Sequence, residues 1–235
     1  MQDTVTKTKA PQARALPYAP AQQRRGIRSE RKLLLAAQAL FAEHGYAQTR
    51  ISDIIARAGV SNGSFYHRFT DKASLFRAIA MRYTEEAARQ IAGFDTAPAA
   101  NGSVAGLLRN LARMVEQAGT ENTGFYRASL ELEAEMPEVR DTLNRLTLRL
   151  CDRLAAAAAD YAPEISGPDP AQAMRLAAQT VIMIVLQVRS GTGPAFPRDS
   201  AALIEIAMRA GCGQLGILPP ETVSAAAAPS SQRST

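Results

Sequence analysis

In this 235-residue chain the side chains best placed to do chemistry run from Ser61 to Phe69. Phe65 and Phe69 stand four apart, so on a helix they share one face and point to a core. Gly63 and His67 then point the other way, with Ser64 and Tyr66 on the flanks. The outward face is small, polar and aromatic, and it starts at Ser61, a residue type that caps helices. A helix N-terminus presents free N–H groups and a positive dipole end, both suited to phosphate. Short side chains there let the backbone come close to a ligand. Upstream, Ile51, Ile54, Ile55 and Ala58 form another short apolar stripe, separated from this helix by Ala58-Gly59-Val60-Ser61. Two short helices joined by a tight turn containing glycine have the spacing of a helix-turn-helix.

Other chemistries are poorly supplied. The chain has no nucleophile elbow with triad partners, no phosphate loop and no dinucleotide fingerprint. His44 and His67 fall on different helices with no evident nucleophile. Glu131, Glu133 and Glu135 alternate, and alternate residues do not share a helix face. Two cysteines, Cys151 and Cys212, with two histidines give neither a disulfide framework nor metal-ligand spacing. An enzyme is therefore not expected, nor a metal or other cofactor. The free cysteines fit a reduced, cytoplasmic setting. The first twenty residues hold no apolar stretch of leader length, and no apolar run approaches the ~18 residues of a membrane span, so no membrane partner is expected.

The net charge of +5 is unevenly spread. Residues 1–83 hold 14 Lys+Arg against 5 Asp+Glu, a net of +9; the remainder holds 13 against 17, a net of −4. A basic N-terminal third on an acidic remainder suits a polyanionic partner or a solvated basic surface.

About nine helices are expected, with no strands. Residues 1–26 read as a flexible basic arm, carrying Arg24 and Arg25 near its end, and 219–235 as a flexible tail. After Ser29, the residues Leu33, Ala36, Ala37, Leu40, Phe41 and His44 make one helical stripe, which Gly45 ends. The second helix follows, then a third from Ser61 to about Phe69, and a fourth from Asp71 to about Phe94. A Pro/Ala/Gly linker over 96–102 precedes helices over 103–117, 123–135, 137–161, 171–189 and from 199 or 200 to 211. The expected domains are a three-helix helix-turn-helix over 27–80 and a helical ligand-binding and dimerisation domain over 81–218.

Residues 28–80 resemble the N-terminal domain of TetR-family transcriptional regulators. The matching stretches are Leu33-Leu34-Leu35-Ala36-Ala37-Gln38-Ala39-Leu40-Phe41, Gly45-Tyr46 and Ile51-Ser52-Asp53-Ile54. They continue with Ala58-Gly59-Val60-Ser61-Asn62-Gly63-Ser64-Phe65-Tyr66-His67-Arg68-Phe69, and with Asp71-Lys72 and Leu75. Two positions depart: the family usually has Thr or Ser where Arg50 stands and a small residue where Ile55 stands. Arg50 has no hydroxyl to cap a helix, so Thr49 is expected to take part of that role.

The resemblance implies an all-α, sequence-specific regulator that binds a double-stranded DNA operator. It implies a repressor released from a palindromic site by a small molecule; an activator or a redox-responsive regulator of the same fold is the alternative. The implied DNA contacts are Arg28, Thr49, Arg50, Ser61, Asn62, Gly63, Ser64, Tyr66, His67 and Lys72. Tyr66 and Lys72 resemble the family's phosphate-binding tyrosine and lysine; the alternatives are a core aromatic and a solvated lysine.

The second half is legible only in outline. Residues 171–188 are apolar on many faces, and Leu203, Ile206, Ala207 and Ala210 make a narrow stripe. Pairing of 171–188 and 203–210 with their copies would give a four-helix homodimer interface, the alternative being burial within the chain. Phe94, Met114, Phe125, Tyr126, Leu130, Met136, Met174, Met183 and Gln187 are candidate walls for an apolar or aromatic effector. Arg127, four residues from Glu131, is a candidate to orient a polar group or to pair on the surface.

Overall fold

The computed structural model describes residues 24–217, and every regular element among them is helical. In chain order these are α1 (Arg24–His44), α2 (Ile51–Ala58), α3 (Asn62–Tyr66), α4 (Lys72–Gly93) and α5 (Pro98–Asn101). Then come α6 (Val104–Glu121), α7 (Thr123–Glu131), α8 (Pro137–Ala156), a 3-10 segment (Ala158–Glu164), α9 (Pro170–Arg189) and α10 (Ser200–Gln214). Of the expected arm over 1–26, residues 1–23 lie outside the described residues, as does the whole expected tail over 219–235.

The helix boundaries have local causes. α1 begins at Arg24, five residues before Ser29, so Arg24 and Arg25, expected near the end of the arm, lie on the helix. Asp71 starts α4 with a reciprocal cap: Ser74 N–H donates to Asp71 Oδ1 (2.6 Å) and Asp71 N–H to Ser74 Oγ (3.2 Å). Pro98 opens the short α5 inside the stretch read as linker. α7 stops at Glu131 and not at 135, because Glu133 and Glu135 would load negative charge onto the negative end of the helix. α8 gives way to the 3-10 segment, which contains Pro163, where an unbroken helix to 161 was expected. Asp169 and Asp199 cap α9 and α10 by accepting from Gln172 N–H and Ala202 N–H.

The chain forms two compact units. One takes the chain up to Arg89 together with Asn122–Leu143; the other takes Gln90–Glu121 together with the chain from Asn144 onward. In the first, Leu33, Ala37 and Phe41 of α1, Ile54 of α2, Phe65 of α3 and Leu75 and Phe76 of α4 are fully buried. Phe125 of α7 completes this core, stacked on Phe76 (5.8 Å between centroids) and Tyr83 (4.5 Å). Gly124 lies directly over α1: a Cβ there would meet the Gln38 carbonyl oxygen at 1.9 Å. Only glycine lets the two helix backbones approach so closely.

The second unit packs α6, α9 and α10 around Leu107, Leu108, Leu111, Met174, Val181, Val185, Leu203, Ala207 and Met208. Leu203 and Ala207 were expected at a dimer interface, but both are fully buried within their own chain. Val181, Ile182, Val185 and Val188 of α9 likewise serve the internal core. What stays outside is a narrower stripe of Leu176, Met183 and Gln187, with Thr180 half-buried between them and Ile206 of α10 also exposed. By length and composition α9 would suffice to cross a membrane; its use as a core helix accounts for that apolar content.

Candidate nucleic-acid interface

The turn between α2 and α3 is built from backbone terms. Gly59 ends α2 in the left-handed region, φ 60° and ψ 46°, a conformation that costs other residues energy. Val60, next in the turn, is half-buried. Ser61 caps α3, its Oγ accepting from Ser64 N–H at 3.2 Å. α3 is only five residues long and stops at Tyr66, short of the expected Phe69. Phe65 and Phe69 are nonetheless both fully buried, and truncating such a ring costs about 3–5 kcal/mol.

That anchoring sets the outward face. Ser61, Asn62, Gly63, Tyr66 and His67 are exposed, and Ser64 is half-buried beside the Ser61 hydroxyl. Tyr66 is 59% exposed, its ring resting edge-on against Phe65, so it is not a core aromatic. A Cβ on Gly63 would touch only the Ser61 Oγ, at 3.9 Å. The fold does not require glycine there, so the space it leaves faces outward.

Two sequence-derived contacts are corrected. Thr49 is 2% exposed and its Oγ1 donates to the Gly45 carbonyl at 2.7 Å. It neither caps α2 nor reaches the surface. The cap of α2 comes from Asp53, whose Oδ2 accepts from Arg50 N–H at 3.4 Å, leaving the Arg50 side chain exposed. Lys72, expected as a phosphate ligand or a solvated lysine, is neither as it stands. Its Nζ donates to the carbonyls of Tyr46 (2.6 Å), Thr49 (2.8 Å) and, more weakly, Ala47 (3.4 Å). It also sits 4.2 Å above the Tyr46 ring. Burial lowers its pKa, opposed by the Glu131 carboxylate.

Other residues that hold this frame were not singled out in the sequence. Glu30 is 1% exposed and binds Arg82 (2.6 Å) and Arg68 (3.5 Å), joining α1, the turn after α3 and α4. A signal was available: Glu30 stands three residues before Leu33, on the same stripe as the α1 core. A charge on a buried stripe needs a partner. The Glu43–Arg57 pair (2.7 Å) joins α1 to α2 at an exposed site, where such pairs contribute little.

The candidate effector walls do not gather in one unit. Phe125, Tyr126, Arg127, Leu130 and Met136 belong to the first unit, and Phe94, Met114, Met174, Met183 and Gln187 to the second. Phe125, Met136 and Met174 are core. The Tyr126 hydroxyl bonds that of Tyr83, and burial raises its pKa well above the ordinary value. Arg127 Nη1 donates to the Ala42 carbonyl at 2.5 Å, while the Glu131 carboxylate is engaged by the amides of Tyr46 and Ala47. Leu130 is 48% exposed and Met183 59% exposed, so neither forms a closed wall. Phe94 and Met114 remain partly buried against the second core. Among the described residues no group of three or more His, Cys, Asp or Glu could hold a metal ion.

A chain whose described elements are all helical, with a capped two-helix turn and an exposed face backed by two buried phenylalanines, is a helix-turn-helix protein. Comparison with known proteins narrows the class. Residues 33–79 match the family model described as bacterial regulatory proteins, tetR family. The HTH-type transcriptional repressor BepR of Brucella suis biovar 1 is 39% identical over 66 residues, covering 27% of this chain and 32% of BepR. The A-factor receptor protein of Streptomyces griseus is 36% identical over 59 residues, 25% of this chain and 21% of the receptor. The chain thus matches a third or less of the length of these relatives.

Solved structures extend the likeness in fold. SCO4454, a TetR-family transcriptional regulator from Streptomyces coelicolor, superposes with a TM-score of 0.59 at 17% identity, covering 80% of this chain and 95% of that one. A bacterial regulatory protein in the tetR family from Rhodococcus RHA1 gives 0.58 at 21% identity, covering 77% and 96%. The match to the tetR family of bacterial regulatory proteins is thus confined to the helix-turn-helix stretch, residues 33–79, while the rest of the chain shares a fold with these solved regulators.

Proposed function

We propose that the protein is a sequence-specific DNA-binding regulator of transcription that acts as a repressor, without catalysis and in the cytoplasm. The observation that carries this is the exposed face of Asn62, Gly63, Tyr66 and His67, held out by the buried Phe65 and Phe69, within the stretch that matches the family. Relatives named as transcriptional repressors support the sign of regulation. In this reading Tyr66 donates its hydroxyl to a phosphate, while Asn62, Ser64 and His67 face base edges or phosphates. Gly63 admits the duplex closely. Arg28 and Arg50, both exposed, add charge along the backbone. Two copies joined through the outward stripes of α9 and α10 would present two reading heads to an inverted repeat.

Release by a small apolar or aromatic effector is part of the same proposal, supported by the partly buried Phe94 and Met114 of the second unit. Release by thiol oxidation is disfavoured. Cys151 is 1% exposed and burial pushes its thiol up to about 11; a protonated, inaccessible thiol is a poor sensor.

Selection of bound duplexes from a random pool, at near-physiological salt, tests the reading. An enriched inverted repeat is the expected result. Binding without enrichment that vanishes as salt rises would overturn it in favour of charge-driven contact.

A further inference from the structure

α7 carries three residues on one face, Gly124, Arg127 and Glu131, spaced i, i+3 and i+7. They follow α1 in order. Gly124 lies over the Gln38 carbonyl, Arg127 binds the Ala42 carbonyl, and Glu131 reaches past the end of α1. Glu131 Oε1 accepts from Tyr46 N–H at 3.0 Å and Oε2 from Ala47 N–H at 2.8 Å. Had α1 continued, Tyr46 N–H would have bonded the Ala42 carbonyl, four residues back. Instead α7 supplies a partner to each half of that missing bond. Lys72 takes the carbonyls of the same segment, at Tyr46, Ala47 and Thr49. The connection into α2 is therefore fixed on its N–H side by Glu131 and on its C=O side by Lys72.

We propose that Glu131 is a positioning residue for DNA reading: by holding the Tyr46–Ala47 amides just beyond Gly45, where α1 ends, it sets where the helix-turn-helix begins and so how its face is presented. The inference rests on the DNA-binding reading above.

Plain electrostatics predicts the opposite sign. Glu131 is an exposed carboxylate on the unit that meets a polyanion, so removing its charge should strengthen binding to any duplex. A positioning role predicts weaker binding to the selected repeat. In Glu131→Gln and Glu131→Ala of the full chain, the ratio of affinities for the selected repeat and a random duplex should fall about tenfold, as when one good base contact is lost. Amide exchange at Tyr46 and Ala47 should accelerate by a similar factor, while the amides in the middle of α6 and α9 keep their protection. An unchanged ratio, or equal strengthening on both duplexes, would overturn the proposal. So would unchanged exchange at the two amides. Should Glu131→Ala fail to fold, Glu131→Gln retains the shape and carries both readouts. If the wild-type protein enriches no duplex, the DNA reading itself fails, and the exchange measurement still judges the latch.

Discussion

At the scale of single residues, Lys72 shows how a side chain with one expected use is employed in another. Three N–H bonds to carbonyls occupy the whole donor capacity of an ammonium. Lys72→Ala should lower stability by about 1–2 kcal/mol, since hydrogen bonds to a charged group carry more than neutral ones. The salt slope of DNA binding should change by clearly less than the roughly one unit that a lost phosphate contact gives. Denaturant unfolding and a salt titration check both; unchanged stability with a full unit of slope would return Lys72 to the phosphate. The contrast with Tyr66 explains what was legible. The exposure of Tyr66, the turn at Gly59 and the cap at Ser61 follow from local spacing and backbone conformation, which residue type and position encode. Thr49 and Lys72 act through contacts with segments 4 and more than 20 residues away, and no local pattern distinguishes a surface lysine from one that closes a loop.

At the scale of elements, a polar cluster ties α6 to the end of α9 and the start of α10. Glu116 Oε1 accepts from Arg189 Nη2 (2.6 Å), Ser200 Oγ (2.7 Å) and Thr120 Oγ1 (2.8 Å). Burial alone would raise the Glu116 pKa; the hydroxyl bonds from Ser200 and Thr120 and the Arg189 charge outweigh it, so the carboxyl titrates below its ordinary 4.5. A depressed carboxylate contributes stability that is present above the ordinary value and is lost as pH falls through the depressed one. Glu116→Gln should therefore cost about 1 kcal/mol near neutrality, and the gap to wild type should close as pH falls below 4.5. Urea midpoints at a series of pH values give the comparison; a gap that does not change with pH would assign the cost to packing. The helices themselves were legible where their apolar stripes are one-sided, as with Leu107, Leu108, Leu111 and Val115 of α6. They were misplaced at their ends, where α7 stops at Glu131 and α8 yields to the 3-10 segment, because ends depend on charge and proline competing with an otherwise good helical sequence.

At the scale of the whole molecule, the apolar surface of α9 and α10 is split between the internal core and an exposed stripe. The sequence could show that α9 and α10 carry more apolar surface than one side of a helix needs. It could not divide that surface between the chain's own core and a partner, because both uses want the same residue types at the same spacing. The fold makes the division: Leu203 and Ala207 go inside, while Leu176, Met183 and Ile206 stay exposed, Met183 at 59%. If the outward stripe of α9 is the dimer contact, a charge at its centre should abolish pairing, since a buried unpaired ammonium costs several kcal/mol. Because Met183 makes no part of the internal core, Met183→Lys should leave helix content and unfolding midpoint near wild type. The variant should then run as a monomer by light scattering. It should bind the selected inverted repeat more weakly, with an affinity close to that for a single half-site, because the second head no longer arrives with the first. A variant that stays dimeric would remove α9 from the interface; one that turns monomeric yet binds the repeat at full strength would show that reading does not depend on paired heads.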